Sequence, residues 1–276
     1  MPRSTLDFKI RFLPCRMTSV GRGRGRVAYT APLRRPGQPA NAPDYVQTMN
    51  ALMSDVDYAE NMLDYVEKQV IAACSSVTAT EEVVDTIYNI SIRDRNFGRV
   101  GGAVLARLTG TELEGFRKAV LNRLQSDYED REKMLAADGG VKLMNFVCLL
   151  GDLYHKVVLR NGLPLRVLAA PLATCLGMVL GRSASKIEIF TQQMVMNGEK
   201  LQLHASDDVA QLMIRARELL MGQPPLENSS AWYILLCIDL EARKYTALPD
   251  HLLSLYESNI ASKQILSLLK KLKSDS

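Results

Sequence analysis

Apolar residues recur at helical spacing through most of this 276-residue chain, and that periodicity constrains the fold more than any other feature. The clearest stretch is 116–129, where Phe116, Val120, Leu124 and Tyr128 recur every four residues. This spacing places the four side chains on one stripe of an α-helix. The stretch therefore predicts a surface helix that buries one face and carries no catalytic chemistry.

Segments of the same kind follow one another along the chain, and none has a convincing strand pattern. Aromatic residues are scarce, at 6%, which suits helices that pack on helices. About ten helices are predicted, and two helices per unit of roughly 40 residues are typical of HEAT-type α-solenoids. The predicted fold is all-α, a HEAT-type α-solenoid of about five helical hairpins, at 45–75, 79–109, 111–160, 164–196 and 207–245.

Local signals predict where individual helices begin and bend. Thr111 and Glu114 have the spacing of a capping box before a single helix over 113–134. Pro171 is expected to kink or split its helix, because proline lacks the backbone donor that a helix interior needs.

Other signals concern the later hairpins. Asn197 and Gly198 are expected to turn the chain or to loosen a longer helix. The segment that begins at Trp232 is apolar almost all round, so Trp232 is expected to be deeply buried, as is Phe146.

Charge divides the chain into three predicted regions. Residues 1–43 hold nine Lys or Arg and one acid, although the whole chain has a net charge of only +4. With its glycines and prolines, this region is predicted to be a disordered basic tail. A helical solenoid domain is predicted over 44–260, and a basic amphipathic helix over 261–276.

The basic tail is a candidate RNA-binding segment. Its arginines can follow phosphates, and Tyr29 could stack on a base. The predicted RNA-binding residues are Arg22, Arg24, Arg26, Arg34 and Arg35. A solubilising tail and a mitochondrial presequence are the alternatives.

The sequence shows no local pattern of catalytic or metal-binding chemistry. It has no phosphate-binding Gly-Lys-Ser/Thr motif, and His155, His204 and His251 lie far apart. No apolar run reaches the roughly 18 residues that a membrane span needs. We therefore expect a protein that is not an enzyme, with no cofactor, no metal site and no membrane contact.

Five segments in order resemble the middle domain of the eukaryotic translation initiation factor 4G scaffold. They are VVDTIY at 83–88, NFGRVGGAVLARL at 96–108, FRKAVLNRLQSDYE at 116–129, NFVCLLGDLY at 145–154 and DLEARK at 239–244. The resemblance covers about 45–246. It is strongest to the small single-domain adaptors of this family, such as interactors of poly(A)-binding protein and of the histone stem-loop-binding protein, and the cap-binding-complex-dependent initiation factor. The family often has a tryptophan shortly after the last segment, where this chain has Tyr245 and Thr246.

The resemblance implies a non-enzymatic adaptor in mRNA translation, cytoplasmic and with the nucleus left open as a second location. The implied partners are the DEAD-box initiation helicase, initiation factor 3 and an mRNA-binding protein, with RNA bound through the tail. A nuclear RNA-processing or mRNA-decay scaffold of the same fold is one alternative. A trafficking-type solenoid without an RNA link is another.

Exposed charges on the family-like segments are the candidate partner-binding residues. Arg117 and Lys118 open the 116–129 helix, and Arg123 lies at the edge of its apolar stripe. Arg243 and Lys244 close the last hairpin. The alternative is that these charges pair with acids of the same chain, as Arg123 could with Asp127 four residues on.

Overall fold

The protein is described by a computed structural model that covers residues 42–53, 60–111, 113, 115–159 and 164–274. Thirteen α-helices lie within these residues, and their only β-structure is a single bridge between Val158 and Pro164. The helices are α1 (Asp44–Leu52), α2 (Glu60–Ala73), α3 (Val77–Arg93), α4 (Arg95–Thr109), α5 (Phe116–Glu129), α6 (Arg131–Ala136), α7 (Val141–Lys156), α8 (Ala169–Val179), α9 (Ala184–His204), α10 (Ser206–Met221), α11 (Asn228–Ala242), α12 (Asp250–Asn259) and α13 (Lys263–Ser274).

Packing between successive hairpins gives an all-α solenoid, as predicted. Along one layer, α4 packs on α2, α7 on α4, α9 on α7 and α11 on α9. The first helix of a hairpin packs on its own partner, as α3 does on α4 and α10 on α11. Each hairpin therefore buries its apolar face only with the help of its neighbours, as repeat architecture requires.

The stripe that predicts α5 is buried as expected. Phe116, Val120 and Leu124 are 3% exposed or less, while Tyr128 lies partly exposed at the end of the helix. The predicted single helix over 113–134 is wrong, however, because the chain breaks at Asp130 and resumes as α6. The third unit thus contains three helices.

The predicted capping box of α5 is also wrong in detail. Gly115, at a left-handed φ of 76°, precedes α5, and Thr111 instead donates to the Leu108 carbonyl at the end of α4. The cap of α3 is Ser76, whose hydroxyl accepts a hydrogen bond from the Ala79 amide at 3.1 Å.

Pro171 does not split its helix. It lies in the first turn of α8, where the backbone donors have no intrahelical acceptor and the missing N–H costs nothing. Nor is there a turn at Asn197 and Gly198, since α9 runs through both residues. The Asn197 amide is buried and donates to the Gly151 carbonyl of α7 at 3.2 Å, so the polar residue joins two helices rather than ending one.

Two further differences concern the C-terminal part. Trp232 is only partly buried, because α11 is covered mainly by α9 and α10. The Trp232 ring contacts the Tyr256 ring edge to face, with 6.1 Å between the ring centroids. Helix α12 was not predicted, although Leu253 and Tyr256 give it a short buried stripe. After α12 the chain returns along α13, which packs on α9 and buries Ile265 and Leu269.

Candidate functional site

The start of α5 exposes one of its two predicted partner-binding residues. Arg117 is partly buried, and its Nε donates to the Thr109 carbonyl, the last of α4, at 2.9 Å. This contact supplies a cation and a donor to a helix C-terminus, where both are stabilising. Lys118 is exposed. Of this pair, therefore, Lys118 is the side chain that faces solvent.

Arg123 connects α5 to α3. Its Nε lies 3.3 Å from an Asp85 carboxylate oxygen, and its Nη2 donates to the Asn89 side chain at 2.8 Å. The guanidinium also lies 5.1 Å from the centroid of the Tyr88 ring. Its ion pair in the described residues is thus with Asp85, not with Asp127. These contacts give Arg123 a role in packing, and its role in partner binding stays a prediction.

The end of α11 presents Arg243 and Lys244 to solvent. Lys244 has a φ of 53°, and the Tyr245 amide donates back to the Leu240 carbonyl at 2.7 Å. The Lys244 amide donates to the Glu241 carbonyl at 2.9 Å. These two bonds form a Schellman motif, which satisfies the last carbonyls of the helix.

Tyr245 anchors this motif. It is 3% exposed. The buried ring therefore fixes the preceding turn, and with it the two exposed cations, Arg243 and Lys244.

The two predicted clusters are built on different parts of the solenoid. Helix α5 packs mainly on α3 and α4, whereas α11 packs mainly on α9 and α10. The predicted RNA-binding residues, Arg22, Arg24, Arg26, Arg34 and Arg35, lie outside the described residues, as does the predicted tail.

A cleft that the sequence did not predict lies between α13 and the layer formed by α4, α7 and α9. Its volume is about 530 Å³. Among the described residues, five Lys or Arg side chains and one carboxylate, that of Asp152, line it; the cations are Arg95, Arg99, Lys156, Lys263 and Lys271. We call this the basic cleft. Its residues are spread from 91 to 271, so no local sequence signal groups them.

The pKa values of titratable groups in the basic cleft are shifted by burial and by the positive charges around them. Burial lowers the pKa of His155, and the charges of Lys200, Lys156 and Lys271 act in the same direction, so that together they bring it to about 4. Burial raises the pKa of Asp152, against the opposite effect of Lys156, Arg95 and Arg99. Burial also raises the pKa of Cys148 to about 11, so its thiol is protonated at neutral pH and is a weak nucleophile.

Within the described ranges, no three His, Cys, Asp or Glu side chains are grouped so that they could hold a metal ion. In the same part of the chain, no helix combines the length and apolar character needed to cross a bilayer. The five cations of the basic cleft and the exposed cations Lys118, Arg243 and Lys244 are suited to binding anionic groups by charge and hydrogen bonding.

Comparison with known proteins gives a consistent set of relatives. The chain is 26% identical over 223 residues to the CBP80/20-dependent translation initiation factor of Xenopus tropicalis, a match that covers 79% of the chain and 37% of that protein. It is 26% identical over 180 residues to the human MIF4G domain-containing protein, covering 61% of the chain and 79% of the relative. It is 30% identical over 140 residues to MIF4G domain-containing protein B of Danio rerio, covering 48% and 59% respectively. No family model matches the chain.

Proposed function

We propose that this chain, which is similar to MIF4G domain-containing proteins, is a non-enzymatic adaptor in mRNA translation, which couples RNA or an mRNA-binding protein to the initiation machinery. The observation that carries the proposal is the match to a translation initiation factor along 79% of the chain. The names of the relatives are those of translation-related and MIF4G proteins, not of enzymes.

The proposed partner surface is the end of α11. Arg243 and Lys244 are exposed, and the Schellman motif and the buried Tyr245 ring hold them in a fixed turn. Because the backbone of this turn is already ordered, little further backbone entropy is lost when the two cations meet an acidic protein face. Lys118, exposed on α5, is the second proposed contact. The proposed partners are the DEAD-box initiation helicase and initiation factor 3, in the cytoplasm.

The test is affinity capture of initiation factors from a cytosolic lysate, with and without RNase. The variant is Arg243→Glu with Lys244→Glu, and the control is Lys68→Glu with Lys142→Glu, two exposed lysines on α2 and α7. We expect wild type and the control to retain the helicase and initiation factor 3 after RNase, and the variant to lose them. Equal capture by all three proteins would reject the α11 surface. Failure of the wild type to capture either factor would reject the translational role.

RNA binding through residues 1–43 is a separate part of the proposal. The five arginines at 22, 24, 26, 34 and 35 would be replaced by glutamine in one variant and by lysine in another. For single strands, each phosphate contact adds roughly 0.7 to the slope of log affinity against log salt. We expect glutamine to lower RNA affinity and flatten this slope, and lysine to preserve both. Identical binding by wild type and the glutamine variant would leave the segment without an RNA role.

A further inference from the structure

We propose that the basic cleft binds an acidic peptide segment that also carries an apolar side chain, and that this ligand holds α13 against α4, α7 and α9. The inference concerns a site distinct from the α11 surface and does not depend on the translational role. It rests on the charges of the two cleft walls, on the way α13 is attached and on the chemistry of the lining.

The charges on α13 are divided between two sides. On one side, Lys270 lies 3.2 Å from Glu257, and Lys273 lies 2.6 Å from Asp250, so both are paired with α12. On the other side, Lys263 and Lys271 line the basic cleft. Two lysines of α13 are therefore ion-paired with α12, whereas the other two face a cleft wall that is itself positively charged.

The opposite wall adds to this positive charge. Arg95 and Arg99 come from the first turns of α4, and Lys156 comes from the last turn of α7. Asp152 is the only carboxylate among the described residues of the lining. It lies 3.9 Å from Lys156 and also interacts with both arginines, so it cannot compensate α13 as well. Like charges on facing walls repel, and an anion between them converts that repulsion into attraction to both.

The attachment of α13 is slight enough for this charge to matter. Only Ile265 and Leu269 are fully buried, while three further leucines of the helix are partly buried against the core. The helix has 12 residues, a length that is marginal for an isolated helix in water. The stability of its docking is therefore sensitive to the electrostatic term across the basic cleft.

The lining favours a peptide over a nucleic acid. Leu149, Met196 and Leu268 give it an apolar part between the cations, which suits an aliphatic side chain. Among the described residues that line the cleft there is no Phe, Tyr or Trp, the side chains on which bases stack most often in single-stranded nucleic-acid sites. Its volume of about 530 Å³ accommodates a few side chains and is within the range of ligand sites.

The test measures binding of a fluorescein-labelled synthetic peptide, glutamates interspersed with leucines, to the purified full chain by fluorescence anisotropy. The cleft variant is Lys263→Gln with Lys271→Gln, and the matched control is Lys68→Gln with Lys142→Gln; all four lysines are exposed. Because the arginines of residues 1–43 can also attract glutamates, the decisive comparison is between proteins that share that segment. We expect the cleft variant to bind at least about tenfold more weakly, and the control to bind like wild type.

Two further measurements complete the test. Hydrogen exchange of the α13 amides should slow when the peptide binds wild type, and should not change in the cleft variant. The midpoints of global thermal unfolding of wild type and the cleft variant, without peptide, should differ only slightly, since the replaced side chains are exposed and any effect is local to α13. Equal peptide affinity of variant and control, or unchanged exchange in α13, would overturn the proposal. The proposal would also be overturned if a single-stranded oligouridylate bound wild type more tightly than the peptide does and no longer bound the cleft variant.

Discussion

The ring of Tyr245 packs directly against the backbone of Gly198 in the middle of α9, leaving no space for a β-carbon at that position. This contact explains a glycine inside a continuous helix, where glycine otherwise costs about 1 kcal/mol relative to alanine. It also links α9 to the turn that carries Arg243 and Lys244. Gly198 thus allows α9 to pack closely on Tyr245 and does not form a turn.

Gly198→Ala should therefore destabilise the protein by roughly 1–3 kcal/mol, despite the better helix propensity of alanine. Tyr245→Ala should remove the obstruction, so the double variant should be less destabilised than the sum of the single variants. The measurement is urea unfolding of all four proteins. Gly177→Ala in α8 is the control, because its β-carbon would meet only the ends of the Arg215 and Leu212 side chains. Additive single effects would contradict direct packing.

Asn145→Ala should cost about 1–3 kcal/mol. The Asn145 side chain, 7% exposed, donates to the Ile92 carbonyl near the end of α3 at 2.8 Å, and its loss leaves that acceptor buried without this donor. Asn122→Ala on the exposed side of α5 is the matched control and should change stability by less than about 0.5 kcal/mol. Chemical denaturation measures both, and equal small losses would show that the bond contributes little.

Phe146→Ala should cost about 3–5 kcal/mol, because the ring is fully buried in α7. Trp232→Ala should cost less, roughly 2 kcal/mol, since the indole is partly exposed and contacts Tyr256 only edge to face. Thermal and urea unfolding of the two variants gives the ranking. A larger loss for Trp232 would mean that α11 is buried more completely than the structure has it.

Arg123→Glu should destabilise the protein by roughly 1–2 kcal/mol. The substitution removes the contact with Tyr88 and places a carboxylate beside Asp85. Lys118→Glu, on the same helix but exposed, should stay within about 0.5 kcal/mol. The difference between their unfolding free energies tests the assignment of Arg123 to packing. Indistinguishable values would contradict that assignment.

His155 should make stability depend on pH between about 4 and 6.5. Its pKa is about 4 in the folded protein, against a usual value of 6.5, so the unfolded chain binds a proton in this window that the folded chain does not. The free energy of unfolding is therefore highest above pH 6.5. It falls as the pH is lowered toward 4, by at most about 3 kcal/mol.

The measurement for His155 is urea unfolding at several pH values across that window. His155→Gln should show a shallower fall in unfolding free energy than wild type as the pH is lowered. His251→Gln, at an exposed position on α12, is the control for the substitution itself. Parallel curves for wild type and His155→Gln would show that this imidazole is not shielded from protonation.

The sequence by itself determined the helices and their succession. Helix formation depends on residues three and four positions apart, so the stripe of Phe116, Val120 and Leu124 was sufficient to predict α5 and its buried face. The same local information predicted the hairpin arrangement, because an apolar face on each hairpin must be covered by the next. It did not predict the break at Asp130 or the short helix α12.

Only the tertiary structure decided what individual residues contact. Gly198 and Asn197 carry turn signals in the sequence, yet α9 continues because Tyr245 and the Gly151 carbonyl lie against them. The basic cleft brings together Arg95 and Lys271, which are remote in the chain. The physical reason is that periodicity records which face of a helix is buried, whereas the partner of each side chain is set by how helices distant in sequence pack.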